Sequence, residues 1–404
     1  MPQLYLLLLS LYWAQGLPVG FMTHALPVIL RAEGVSLAQI GGFGLLMLPW
    51  SIKVFWAPLI DRYGRYKMWI IPLQVCMVLS LVALSFLPIS ALNQPQYLLP
   101  FFVLLLCMNV VGATQDIATD GLAVTNLTRQ SQHWGNTLQV LGSRLGFIVG
   151  GGGVLWALDA WQWQATFLML AALVFLNSLP IVFKSDTHHV RLARSEPHKH
   201  SFKSYFAYFK STPELKAWLA VLLSFKLADG LAGPILKTLM VDLGLSFKQI
   251  GLYITMLGAV AALLGAAMAG LLLKVLTRVQ ALILFSLLKI LSLMGFVWLA
   301  IQYEQHTPVA DWVIYSVNAF EDLNSSMLLV VMLTLIMQYS RQAWAATDFT
   351  LQVSIMATIS GVLYLLSGFA VEAIGYRQYL SLIVCVACAA LYPIILWRKA
   401  AFKN

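Results

Sequence analysis

Asp116 and Asp120 stand four positions apart in GATQDIATDG, residues 112–121, within an otherwise apolar stretch. On a helix this spacing puts both carboxylates on one face, one turn apart. Two ionised carboxylates in hydrocarbon are costly and repel each other, so either one keeps a proton near neutral pH or a cation or hydrated cavity serves both. The first arrangement is proton-coupling chemistry: a carboxyl group loads a proton on one side of a membrane, passes through a conformational change and unloads it on the other. The second is a structural ion pair, for which Lys53 and Arg144 are the candidate partners. The two carboxylates can also divide these duties.

Other polar groups fall where apolar spans are expected: His24, Lys53, Arg144, Lys226 with Asp229, Lys289, Glu321 with Asp322, and Asp348. Charge facing lipid is expensive, so each is a candidate for function. Lys237 lies near an outer boundary, where a long side chain can snorkel. Arg144 and Lys53 lead as groups to hold an anionic substrate or the aspartate pair, because guanidinium offers directional donors and ammonium a compact charge. His24 can bind substrate or move a proton, or simply pack as a neutral ring. Lys226 and Asp229, three apart, can pair within their own helix. Tyr12, Trp13 and Phe21 are candidate aromatic contacts for a ringed substrate, although most aromatic residues in a chain with 13 tryptophans need no such role.

The elements that must hold these groups are membrane spans. The chain has 404 residues, of which 60% are hydrophobic and 10% charged, with mean hydropathy +0.81; a soluble domain carries roughly 25% charged residues. Apolar runs near the roughly 20 residues needed to cross a bilayer recur from end to end. They predict an all-α polytopic membrane protein with twelve transmembrane helices, near 4–30, 38–60, 68–90, 97–126, 136–158, 163–183, 214–240, 247–273, 279–302, 309–338, 345–371 and 378–397. No room remains for a separate soluble domain. The first segment lacks a basic leader and a small-residue cleavage site, and is expected to be a retained span. Cys76, Cys107, Cys385 and Cys388 all lie in apolar stretches and suggest neither a disulfide scaffold nor a metal site.

A net charge of +9 points to topology rather than nucleic acid. With an inside amino terminus, the inside loops carry Arg62, Arg65, Lys67, Arg129, the bases of residues 184–216, Lys274, Arg278, Arg341, Arg398, Lys399 and Lys403. The outside loops carry Arg31, Lys248 and Arg377. The positive-inside rule then puts both termini in the cytoplasm. The long loop in mid-chain, with His188, His189, His198 and His200, reads as a basic linker. Its histidines lack the regular acidic or thiol partners of a metal site, and SFKSYFAYFK reads as an interfacial amphipathic helix with Phe202, Tyr205, Phe206 and Phe209 toward lipid. The expected organisation is an N-terminal six-helix bundle at 1–183, the linker at 184–213 and a C-terminal six-helix bundle at 214–404.

The halves echo each other. GVSLAQIG at 34–41 matches GLSFKQIG at 244–251, and LQV at 138–140 matches LQV at 351–353. A six-plus-six repeat is the pattern of an alternating-access transporter. GFIVGGGG at 146–153 and GAVAALLGAAMAG at 258–270 supply small residues for close helix approach, in static packing or gating. Pro18, Pro27, Pro49, Pro58 and Pro234 can interrupt helical hydrogen bonding. In WAPLIDRYGRYK, residues 56–67, Asp61 can pair with Arg62, Arg65 or Lys67 or cap a neighbouring helix, and Gly64 suits a tight connection. This turn is the candidate cytoplasmic gate.

DRYGRYK resembles the signature between helices two and three of the major facilitator superfamily. GLPVGF at 16–21, LPWSIKVFWAPLIDRYG at 48–64 and TQDIATDGLAV at 114–124 resemble its AmpG-like and acetyl-CoA transporter branch. HALPVILRAEGVSLAQIG at 24–41, with the compact length, looks closest to siderophore permeases of the RhtX and FptX type. The resemblance implies a bacterial inner-membrane importer of a siderophore or ferrisiderophore, driven by the proton gradient. The alternatives are a muropeptide, another amphipathic metabolite or a drug as cargo, or a transporter-fold sensor or scaffold. No ATP-binding motif, catalytic set or metal triad stands out. The expected partners are a small-molecule substrate and the lipid bilayer, with no cofactor, no nucleic acid and a monomeric state.

Overall fold

The structure is a computed structural model that describes residues 2–35, 43–63, 65–87, 92, 94–183, 207–246 and 249–401. Regular structure among the described residues is helical throughout. Ten of the helical runs are long and apolar enough to cross a membrane. The protein is an all-α polytopic membrane protein.

The chain divides into two compact units. One comprises Met1–Arg194 with Met337–Ser354, the other Ser195–Ile336 with Ile355–Asn404. Residues 184–206, including His188, His189, His198 and His200, lie outside the described residues, as does Gly64; so does most of the 34–41 echo. Phe209, expected toward lipid, is instead buried.

In the first unit, α1 (Pro2–Gly20) runs through a π-helical turn, Phe21–Ala25, into α2 (Leu26–Ala32). The expected second span is not one continuous helix. It is a 3₁₀ turn at Phe43–Met47, α3 (Leu48–Ile52), a second 3₁₀ turn at Lys53–Phe55 and α4 (Ala57–Arg62). Pro49 and Pro58 explain the breaks: each sits in the first turn of its short helix, where a missing N–H costs nothing, and neither lets a preceding helix run on. Then follow α5 (Tyr66–Ser85), α6 (Pro95–Asn126), α7 (Gln132–Ile148), a π turn at Val149–Gly153 and α8 (Val154–Phe183).

The apolar run Gln132–Phe183 spans 52 residues. A straight helix of that length would reach about 78 Å, more than twice the hydrocarbon thickness. It leaves the helical path at Gln162, whose φ is +64°, so two expected spans meet there without a loop.

Helix α1 packs closely along α7, and glycines make the approach possible. A Cβ on Gly146 would fall 2.5 Å from the Gly16 Cα, and one on Gly150 would fall 2.0 Å from the Leu17 carbonyl oxygen. In lipid, where apolar burial drives association weakly, such close backbone packing is a principal source of helix adhesion. The apolar core of this unit gathers Leu17, Phe21, Leu81, Phe101, Phe167 and Leu170.

The second unit contains α9 (Pro213–Phe225), α10 (Leu227–Asp242), a π segment at Ile250–Met256, α11 (Leu257–Leu272) and α12 (Arg278–Glu304). It also holds most of α13 (Asp311–Gln338) and α14 (Ala345–Ile374), with α15 (Tyr376–Ala389) and α16 (Leu391–Ala401). Thr277 and Gln280 close a capping box at the start of α12. The small-residue stretch of α11 also serves close approach, since a Cβ on Gly265 would lie 2.2 Å from the Leu323 carbonyl oxygen.

Candidate functional site

Lys53 lies at the break between α3 and α4, in a 3₁₀ turn, and is 3% exposed. Its ammonium forms an ion pair with Asp116 Oδ2. Two tryptophans fasten the broken segment to α6: Trp50 Nε1 donates to Asn109 Oδ1 at 2.9 Å and Trp56 Nε1 donates to Thr114 Oγ1 at 3.2 Å. The Trp50 ring also lies 5.6 Å from the Lys53 ammonium. Thus the proline breaks bring Lys53 against α6 while indole donors fix the register.

One turn further on, Asp120 has different company. The Tyr12 hydroxyl donates to its Oδ1 at 2.8 Å, and Gln139 Nε2 donates to the same oxygen at 3.2 Å. Gln15 Nε2 donates to Thr119 Oγ1 at 3.1 Å. Asp120 is 1% exposed, and among the described residues no basic group forms an ion pair with it. The site on α6 therefore holds two carboxylates and one cation. Tyr12, expected as an aromatic substrate contact, is instead a hydrogen-bond donor to Asp120. Phe21 is likewise buried in the core against Phe167 and Trp163. Trp13 is half-buried, with its indole N–H enclosed and without a partner.

Arg144 does not join the aspartates. It is half-buried, and its guanidinium lies over the Phe147 ring, 6.0 Å from the centroid. His24 is exposed, with its ring 6.2 Å from that of Phe147.

The second unit has its own charged cluster. Lys226 stands at the junction of α9 and α10 and pairs with Asp229 at 2.6 Å, the within-helix contact foreseen from their spacing. Asp229 also meets Lys289 of α12 at 2.9 Å, and Lys289 pairs with Glu321 of α13. Ser325 accepts from Lys289 at 2.5 Å and donates to Glu321 at 2.9 Å. Beside this network is a pocket lined by Ser224, Phe225, Asp229, Ser286, Lys289 and Leu391, among others. Asp322 accepts from Asn318 at 2.9 Å, against Gly258.

In the last turn of α4, Asp61 is buried and accepts four hydrogen bonds. They come from the Tyr66 hydroxyl at 2.8 Å, the Ala346 and Thr347 backbone N–H groups at 3.1 and 2.7 Å, and the Thr347 hydroxyl. Asp61 thus caps the first turn of α14, where backbone donors lack intrahelical partners and the helix dipole favours a negative charge. Arg62 and Arg65 are exposed, and Lys67 donates to the Val182 carbonyl at 3.1 Å. Of the two roles open to Asp61, the geometry is that of a cap. Nearby, Arg341 grips Asp348 through Nε at 2.7 Å and Nη2 at 2.8 Å.

Sequence reasoning did not join Lys289 to Asp229 and Glu321, nor Tyr12 and Gln139 to Asp120. Lys289 carried a usable signal, a lysine inside an apolar run. Gln139 carried none beyond its amide.

Residues 3–159 match the family described as acetyl-coenzyme A transporter 1 (Acatn). The anhydromuropeptide permease of Escherichia coli (strain K12) is 28% identical over 410 residues, covering 97% of this chain and 79% of the permease. The crystal structure of a bacterial homologue of the iron transporter ferroportin, in an outward-facing state, superposes with a TM-score of 0.70 at 13% identity, covering 99% of this chain and 100% of that one. FucP, a Major Facilitator Superfamily transporter in the outward conformation, superposes with a TM-score of 0.69 at 16% identity, covering 98% of each chain. The fold is that of the major facilitator superfamily. The likeness to these two transporter structures is one of fold. In sequence, the chain is similar to the acetyl-coenzyme A transporter 1 family over residues 3–159 and to the anhydromuropeptide permease over nearly its whole length. The siderophore branch expected from residues 24–41 gains no support from these likenesses. At 13% identity the ferroportin homologue shares a fold with this chain, which says nothing about iron as cargo.

Proposed function

We propose that the chain is a proton-coupled secondary transporter of the bacterial inner membrane that carries an amphipathic solute of the muropeptide class. The observation that carries the coupling is the charge imbalance on α6: Lys53 pairs with Asp116, while Asp120 is held by the neutral donors Tyr12 and Gln139. With both carboxylates ionised the cluster has one uncompensated negative charge in a dry site, which a single proton on Asp120 removes. Asp120 is then the proton carrier, and Asp116 with Lys53 is its fixed neighbour.

For the cargo, similarity to the anhydromuropeptide permease along 97% of this chain supports a muropeptide over the siderophore first expected. Alternating access of two six-helix bundles, with both termini cytoplasmic, is the working cycle. Twelve spans are reached when the run broken at Gln162 counts as two and the broken segment 43–62 counts as one more. Opening of the end that holds Asp61 would break its cap on α14, which makes that cap a latch.

Proteoliposomes loaded with alkaline buffer, and given labelled anhydromuropeptide in acidic buffer, should accumulate it; vesicles without the gradient should only equilibrate. Equal accumulation in both removes proton coupling, and no uptake in either removes the cargo.

A further inference from the structure

Three lysines deep in the spans, Lys53, Lys226 and Lys289, each face a carboxylate. Arg144 differs: among the described residues no carboxylate pairs with it, and its neighbour is the face of Phe147, 6.0 Å away. A cation at membrane depth is costly, and a cation–π contact offsets only part of that cost. The arrangement therefore leaves a guanidinium with its directional donors unspent on acid.

Its surroundings are built around it. His24 approaches the same Phe147 ring at 6.2 Å, edge to face, so two nitrogen-bearing side chains meet one aromatic ring. His24 belongs to the π-helical turn Phe21–Ala25, and the second π turn, Val149–Gly153, packs against it. Such turns recur at functional sites because they re-aim side chains at a cost in helix stability. Gly151 leaves the space that His24 occupies, since a Cβ there would come within 2.9 Å of the His24 Cβ. Arg144 also lies five residues beyond Gln139, the donor to Asp120, or about 7.5 Å further along α7. Five residues also turn the helix by about 140°, so an anion at Arg144 would not occupy the proton site.

We propose that Arg144, seated on Phe147 and flanked by His24, binds a carboxylate of the transported solute. Guanidinium suits that role because its planar fork matches a carboxylate with two parallel hydrogen bonds. The inference rests on the transport reading above and narrows its cargo to amphipathic carboxylates.

The test labels the purified full-length protein with phenylglyoxal and follows modification of Arg144 by peptide mass spectrometry. Three probes are added in turn: anhydromuropeptide, the same compound with its carboxylates converted to amides, and a ferric carboxylate siderophore. Labelling of Arg144 should slow several-fold with a carboxylate probe and not with the amide. Protection by the siderophore but not by anhydromuropeptide keeps this site and removes the muropeptide cargo. Transport of anhydromuropeptide with Arg144 equally labelled throughout keeps that cargo and overturns this site. Equal protection by acid and amide, or protection by neither acid, also overturns it. As a second readout, Arg144→Gln should lower binding of the acid to the level of the amide while leaving the amide unchanged; equal loss of both contradicts a carboxylate contact.

Discussion

The two charged clusters buried in the two units are built on different balances. In the second unit, Lys226 and Lys289 meet Asp229 and Glu321, and Ser325 bridges the last pair. Two cations and two anions close on each other. In the first unit, one cation serves two carboxylates, and the second carboxylate leans on a phenol and an amide. A proton arriving at the closed network has to break an ion pair, whereas one arriving at Asp120 relieves an excess charge. On the proton-coupled reading proposed above, burial and ionisable side chains alone do not mark the coupling site; the sum of charge does.

The largest test of this contrast removes a partner. Lys53→Met strands Asp116 and should lower stability by about 3–5 kcal/mol, while Lys53→Met with Asp116→Leu should recover most of it. Lys289→Met should cost a similar amount by stranding Glu321. Thermal unfolding in one detergent measures all three. If Lys53→Met is as stable as the parent chain, the ion pair is not the scaffold described. If the double variant remains driven by a pH gradient, Asp116 is dispensable for coupling and Asp120 suffices.

The next test separates stability from coupling. Asp120→Asn fixes the neutral form, so solute exchange across the vesicle membrane should persist while accumulation falls to the level seen without a gradient. Glu321→Gln should do the reverse: coupling survives, and stability drops by about 1.5–3 kcal/mol, the worth of a hydrogen bond to a charged group. Should Glu321→Gln uncouple transport and Asp120→Asn spare it, the assignment of roles is inverted.

Some of this was legible in the sequence. Carboxylates one turn apart in an apolar run, and a lysine between two prolines, are conspicuous because lipid makes them expensive. Lys53 was one of two cations expected to pair with the carboxylates, and the breaks at Pro49 and Pro58 are what bring it against α6. The membrane class and the within-helix pair Lys226–Asp229 were legible for the same reason. Arg144 was expected beside the aspartates, yet Gln139 took that place. Five residues rotate a helix by about 140°, so the two side chains cannot share a direction, and composition does not reveal which one faces α6. Tyr12 was hidden by its own commonness: among many aromatic residues, the phenol that donates to Asp120 differs from the rest only in three dimensions. The cap made by Asp61 on Ala346 and Thr347 joins segments 285 and 286 residues apart, a separation no local pattern bridges.

The smallest effect is the most discriminating, because it leaves every charge in place. Tyr12→Phe removes one hydroxyl from Asp120, and Ser325→Ala removes one from Lys289 and Glu321; each should cost about 0.5–1.5 kcal/mol of stability. The two should part company in transport. Tyr12 donates to the ionised form of Asp120, so without it the protonated form gains, and half-maximal uptake should move to higher pH by up to about one unit. Ser325 joins a network whose charge already sums to zero, so its loss should leave the pH profile where it was. Uptake against pH in both variants measures this directly. A shift in Ser325→Ala with none in Tyr12→Phe would mean that the proton is read in the balanced cluster, and that charge sum is the wrong guide to where coupling resides.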